Sequence, residues 1–271
     1  MTDAGAAVAA NPLWYHTMEV APGVVTPGWF DLRPVLDALP WPDVAGKRCL
    51  DVGTYDGHLA FELERRGAAE VVATDLSTHA EWDWPARLRA LGGAHLDAIA
   101  GPEKGHGFRI AAELLGSRVQ RVECSAYDLS PDRHGMFDVV VCGSLLLHLR
   151  DPVRALEAMR SVCAGALLSA EQILPRLEFG RRRRHPLAEI DGVSDLCQWW
   201  TPNRAGHRRM VEAAGFEIER AGRPYCLPLG PAHPRPRRTL QRMMRAVGVW
   251  LMTRQSGLLS SAVLARPGAA A

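Results

Sequence analysis

The sequence has no C-x-x-C pair, no apolar run long enough to span a bilayer, no basic leader and almost no net charge. Each absence removes a class of function. Six cysteines (Cys49, Cys124, Cys142, Cys163, Cys197 and Cys226) are scattered through 271 residues, so neither a metal knuckle nor a redox dithiol is expected, and no metal ligand set is assigned. Several of them sit in apolar strand-like runs and read as buried reduced thiols, which suits a cytoplasmic protein. Residues 1–11 are mostly small and lack a charged start and an apolar core, so no secretory signal is expected. No membrane association is expected either, because no stretch reaches the length of a span. A formal charge of +2 is too small to imply a polyanionic partner by itself. Internal repeats and low-complexity tracts are missing, as are a Walker A sequence and a G-x-G-x-x-G turn.

What is present is ordinary for a folded protein: 47% apolar and 23% charged residues exclude a mostly disordered chain. From Lys47 onward, short apolar runs at 48–53, 71–75, 119–127, 137–144, 166–171, 216–221 and 260–265 read as strands. Between them 57–66, 108–116, 152–163 and 204–214 carry apolar residues at helical spacing. That alternation predicts an α/β fold, a parallel sheet of seven strands covered by helices. Asp151-Pro152 is a sound helix start. Residues 1–45 read as a cap or lid and 46–271 as the main domain, interrupted by an insertion at 224–257. The insertion holds a basic helix at 237–254, whose apolar residues Leu240, Met243, Met244, Val247, Trp250 and Leu251 share one face. Packing of that face on the domain or on a second subunit is expected, in a monomer or homodimer, in preference to the alternative of membrane-surface binding.

The first strand ends in Asp51-Val52-Gly53-Thr54-Tyr55-Asp56-Gly57 and runs straight into a helix. In open parallel sheets ligands bind outside the carboxyl ends of the strands, and glycines there let the backbone approach a ligand closely. The second strand ends in Asp75, followed by Leu76; its carboxylate is placed to accept from both hydroxyls of a ribose. Gly53 and Gly57 are four apart with Tyr55 between them, so the spacing that seats a pyrophosphate is missing. Asp56 at the turn would repel a diphosphate and tolerate a cationic sulfonium. Asp51 also reads as a turn-orienting residue, and Asp75 as a helix cap.

Taken together, these residues resemble the class I S-adenosylmethionine-dependent methyltransferase superfamily. Leu50 to Gly57, Phe61 to Ala68 and Leu145 to Pro152 are similar to a subgroup related to the tRNA wobble-uridine carboxymethyltransferases. The resemblance implies a doubly wound Rossmann-like sheet with an antiparallel last strand. It also implies S-adenosylmethionine as cofactor and S-adenosylhomocysteine as product. By position, Asp51, Gly53, Thr54, Tyr55, Asp56 and Gly57 would face the methionine part, Asp75 and Leu76 the ribose, and Tyr127 and Asp128 the adenine. Cys142 and Gly143 would flank the sulfonium. Tyr55 departs from the commonest pattern, which has glycine there.

Methyl transfer mainly requires positioning and exclusion of water, with a base where a proton must leave. His148, just beyond the fourth strand and matching a histidine of the resembling subgroup, is one candidate base. His16 in the cap and Glu171 at the end of the fifth strand are the others; each also has a structural reading. Trp199, Trp200 and Asn203, with Trp29 and Thr26 of the cap, are candidate substrate contacts, because paired tryptophans stack on flat rings. Arg181 to Arg184, and Arg235, Arg237 and Arg238, read as phosphate-binding clusters or as solvated loops. The expected acceptor is a small molecule methylated on oxygen or nitrogen. The alternatives are a tRNA-modifying methyl- or carboxymethyltransferase and a non-catalytic adenosyl-cofactor-binding protein.

Overall fold

The computed structural model describes residues 3–101, 104–194, 197–234 and 240–269 of the chain. Five parallel strands form its centre: β1 (Arg48–Val52), β2 (Glu70–Asp75), β3 (Gln120–Glu123), β4 (Phe137–Gly143) and β5 (Cys163–Gln172). Three more, β6 (Phe216–Ala221), β7 (Tyr225–Leu227) and β8 (Leu258–Pro267), complete a sheet of order β6-β8-β5-β4-β1-β2-β3, with β7 also on β8. β8 runs antiparallel to β5, and β6 and β7 run antiparallel to β8. The chain moves outward from β1 to β3 and returns to place β4 beside β1, so strand order reverses between β1 and β4. A ligand crevice belongs at the carboxyl ends of these two strands.

The seven strands read from the sequence all form, with ends displaced by a few residues. β7 is the addition. It is three residues long and lies between Pro224 and Pro228, too short for an alternating pattern to register. The central strands are buried on both faces, as β4 shows with Val139, Val140, Val141 and Cys142 all at 0–1% exposure. That double burial explains why they read as continuous apolar runs.

Helices α1 (Ala4–Ala10), α2 (His58–Arg65), α3 (Gly93–Ala100), α4 (His106–Leu115), α5 (Pro152–Val162), α6 (Arg204–Ala213) and α7 (Leu240–Thr253) complete the fold. At the start of α5 the Asp151 carboxylate accepts from Arg154 N at 3.0 Å with Pro152 in the first turn. On one face of the sheet Leu59 and Leu63 of α2 and Phe108 of α4 pack with Trp14, Met18 and Val35 of the N-terminal segment. On the other, Leu156 and Met159 of α5 and Val211 of α6 form a second core. Burying side chains of this size stabilises the fold by about 1.5–3 kcal/mol each.

The insertion departs from expectation. Its helix begins at Leu240, and Arg235, Arg237 and Arg238 lie outside the described residues. The apolar face does not pack on the domain: Met244, Val247, Trp250 and Leu251 are exposed, while Val249 joins a small cluster with Ile173, Cys226 and Leu259. Polar contacts at the carboxyl end set that orientation, with Thr253 Oγ1 3.2 Å from Cys226 Sγ and Gln255 Oε1 accepting from Cys226 N at 2.9 Å.

Candidate active site

A crevice opens where the strand order predicts, above the carboxyl ends of β1 to β4. Its lining includes Gly53 and Tyr55 after β1, Asp75 and Leu76 at β2, Ser125 to Tyr127 after β3, and Gly143 to Leu145 after β4. The floor is tied together by backbone bonds. Gly53 N and Thr54 N donate to Thr74 O at 2.8 and 3.1 Å, and Gly57 N donates to Thr54 O at 2.8 Å. Asp75 is partly buried against this turn, and one carboxylate oxygen accepts from Tyr55 N and the other from Leu76 N, both at 2.7 Å. Each oxygen keeps a further lone pair for a ligand hydroxyl. Burial raises the Asp75 carboxyl above the usual range, opposed by the backbone bonds and by Arg121 and Lys104.

Tyr55 occupies the position where the resembling superfamily most often has glycine, and the backbone keeps a glycine-like conformation there, with φ 50°. A non-glycine residue in that region is disfavoured, and Tyr55 is held there by its ring. It stacks on Tyr15 with centroids 4.7 Å apart, and its hydroxyl donates to Ala100 O at 3.4 Å. The residue thus joins the turn to both of the segments that cover it.

Several positions assigned to the cofactor face elsewhere. Asp56 accepts from Tyr15 N at 2.6 Å and His16 N at 3.1 Å; it is buried and its carboxyl is pushed up to about 7, chiefly by that burial. Its charge is directed to the N-terminal segment, so it anchors the cap instead of facing a sulfonium. Asp51, Thr54, Gly57 and Cys142 lie beneath the crevice and Asp128 beside it; none lines it. Asp51 is 2% exposed and burial raises its carboxyl to about 7.

Of the candidate bases, His148 and His16 both line the crevice and Glu171 does not. His148 Nδ1 lies 2.7 Å from Cys197 O. A carbonyl only accepts, so the proton of the neutral ring sits on Nδ1 and Nε2 carries the lone pair. Burial lowers the His148 pKa, partly offset by that carbonyl, which keeps the ring in its basic form at neutral pH. His16 is held neutral more strongly, by burial and by His58 beside it, and its Nδ1 has no hydrogen-bond partner. Glu171 is turned to the chain: one oxygen accepts from Leu145 N and Leu146 N, each at 3.0 Å. It holds the loop that presents His148, and burial pushes its carboxyl up to about 8.

Trp29 lines the crevice; Trp199, Trp200 and Asn203 do not. Asn203 is fully buried and spent on structure, its oxygen accepting from Gly206 N and Leu187 N and its amide donating to the carbonyls of Arg182 and His185. The indole nitrogens of Trp199 and Trp200 donate to Asp83 O at 2.6 Å and Arg150 O at 3.0 Å. Thr26 is buried as well, accepting from Met18 N and donating to His16 O. Trp29 reaches Tyr15 because Gly28 lies directly on the His16 backbone, where a Cβ would stand 2.1 Å from His16 C. Only glycine allows that approach.

The sequence reading missed one whole wall. Glu81, Trp82, Asp83, Ile99 and Ala100 of the irregular stretch after β2 close the crevice together with Cys197. The Asp83 carboxylate ties this wall to the sheet, accepting from the Tyr127 hydroxyl and from Arg150 N. Trp82 was the available signal, a large apolar ring in a loop with no helical or strand period.

The lining chemistry fits an adenosyl sulfonium. Asp75 offers free lone pairs at the position the resemblance gives to the ribose, and no arginine or lysine is among the described lining residues, although Arg121 and Lys104 act electrostatically on Asp75. Among the described residues no group of three or more His, Cys, Asp or Glu side chains is placed to hold a metal ion.

Residues 30–221, well over half the chain, match the methyltransferase domain family. A ubiquinone biosynthesis O-methyltransferase of Paracidovorax citrulli is 27% identical over 229 residues, a match covering 73% of this chain and 84% of that protein. Its counterpart in Xanthomonas oryzae pv. oryzae is 34% identical over 116 residues, covering 43% of this chain but only 38% of that protein. Among solved structures, Burkholderia thailandensis 1,6-didemethyltoxoflavin-N1-methyltransferase, with bound 1,6-didemethyltoxoflavin and S-adenosylhomocysteine, has a TM-score of 0.51 at 15% identity. That match covers 88% of this chain and 78% of that one, a likeness of fold.

Proposed function

The chain belongs to the methyltransferase domain family, and from that premise we propose that it transfers a methyl group from S-adenosylmethionine to a hydroxyl of a small, flat, uncharged acceptor. The observation that carries the reading is one crevice with Asp75 and the glycine turn at one end and His148, its lone-pair nitrogen fixed by Cys197 O, along the same lining. When bound, the cofactor supplies an electrophilic methyl carbon on a sulfonium.

Asp75 and the Gly53–Tyr55 turn hold the adenosyl and methionine parts. His148 Nε2 would take the proton of the acceptor hydroxyl, and Tyr15 and Trp29 would pack on the acceptor ring and exclude water. Glu171 positions the loop that carries His148. Oxygen is preferred over nitrogen because the relatives are named O-methyltransferases. Methyl rather than carboxymethyl transfer is supported by the described lining residues, which include no arginine or lysine to pair with a carboxylate on the transferred carbon.

Calorimetry with S-adenosylmethionine, S-adenosylhomocysteine and NAD tests the cofactor. Binding of the first two and not the third is expected, and loss of both on Asp75→Ala. His148→Ala is expected to lower kcat by about a hundredfold or more with a small change in KM. If His16→Ala produces that loss and His148→Ala does not, the base comes from the cap. Salt-sensitive tRNA binding that disappears when Arg181 to Arg184 are neutralised would move the acceptor to RNA.

A further inference from the structure

Helix α7 turns its apolar stripe away from the domain. Met244, Val247, Trp250 and Leu251 are 67%, 58%, 48% and 60% exposed. Phe179, itself 52% exposed, lies against the same helix, its ring 3.6 Å from where a Cβ on Gly248 would stand. The apolar face therefore continues onto the Gly180–Arg184 turn, whose four arginines are exposed. At the far end the Arg254 guanidinium sits 4.5 Å from the Trp250 ring centroid.

Charge selects what covers this face. From Arg220 to the last residue the sequence contains no aspartate or glutamate, while six arginines fall between 235 and 254. Glu178, the acid next to Phe179, is buried and bonded to Arg204. A second copy laid on the face would bring the exposed Arg181 to Arg184 and Arg254 against their own counterparts. An anionic phosphodiester surface over an apolar layer complements both features. We propose that α7 and the Phe179–Arg184 turn form an interfacial surface for an anionic phospholipid bilayer. Met244, Val247, Trp250 and Leu251 enter the boundary between headgroups and acyl chains, and the arginines pair with lipid phosphates. At fourteen residues the helix is too short to span and lies in the plane of the surface.

Co-sedimentation of the full chain with vesicles tests this. Binding to mixed phosphatidylcholine and phosphatidylglycerol vesicles is expected, with little binding to phosphatidylcholine alone and marked loss at high salt. Val247→Glu with Leu251→Glu is expected to weaken binding by about tenfold or more, from removal of buried apolar surface, with methyltransfer to a water-soluble acceptor unchanged. The unmodified chain alone is decisive: no preference for anionic vesicles overturns the proposal whatever the variant does. A concentration-dependent dimer dissolved by the paired substitution, without vesicle binding, assigns the face to a second copy. Binding of tRNA through the arginine turn, without vesicle binding, assigns it to RNA.

Discussion

Two irregular, tryptophan-bearing stretches cover the carboxyl edge of the sheet, residues 13–42 and 78–101, and they are secured in different ways. The first is threaded into the main core. Trp14, Met18 and Val35 pack with α2, α4 and the sheet, and its crevice residues Tyr15 and His16 are pinned by Asp56. The second builds a core of its own from Trp84, Leu88, Leu96 and Ala100, joined by Cys197, and meets the sheet through the Asp83 carboxylate. A wall that shares the main core can open only with the fold, whereas a wall with a private core can open alone. The second wall is therefore the one expected to open first.

The largest effect that could break this comparison is on stability. Trp14→Ala should lower global stability by about 3–5 kcal/mol, read as a shift of the denaturant midpoint. Trp84→Ala removes a side chain of the same size, yet its effect should appear as proteolysis and hydrogen exchange within 78–101, with a smaller midpoint shift. Equal global shifts from both substitutions would show that the two walls are one unit.

Next in size, Asp83→Ala removes charge-assisted hydrogen bonds worth about 1.5–3 kcal/mol each from the second wall. It should raise the cofactor Kd by about tenfold or more and leave the global midpoint nearly in place. Asp56→Ala should do the reverse, costing stability before it costs affinity. A matched loss of affinity and stability in both would erase the distinction.

The smallest effect is on pH dependence. Burial raises Asp56 and Asp51 to about 7 and Glu171 to about 8 in the folded chain. In the folded state these groups hold protons that the unfolded state has already lost, so their contribution is present at low pH and is lost as pH rises through 7 and 8. The buried histidines His16, His58 and His207, all lowered, oppose this only below their ordinary pKa near 6.5. The thermal midpoint of the ligand-free protein should therefore fall between about pH 6.5 and 8. Asp56→Asn, which keeps an acceptor for Tyr15 N and His16 N, should flatten that slope; an unchanged slope would mean that the cap anchor is ionised throughout.

Much of the site's floor could be read in the sequence because it rests on local geometry. Gly53, Tyr55 and Asp75 stand at strand ends, and strand ends follow from apolar runs. The direction of Asp56 could not be read, since it depends on Tyr15 and His16, some forty residues earlier. Asn203 and Trp199 were misplaced for the same reason: a polar or aromatic residue after a strand serves ligand or backbone equally well until its neighbours are known. The wall at 78–101 has little period to detect, because its helices are short: α3 has eight residues and the helix Ala86–Arg89 four.

By itself the sequence determined the parallel sheet, the reversal point and an adenosyl-type turn, since alternating apolar periodicity and glycine spacing act over a few residues. Tertiary structure alone decided which carboxylates face the crevice, which histidine keeps a free lone pair, and which side of α7 meets the solvent. Those outcomes depend on contacts between segments distant in the chain, and the periodicity of a single helix or strand carries no record of its partner.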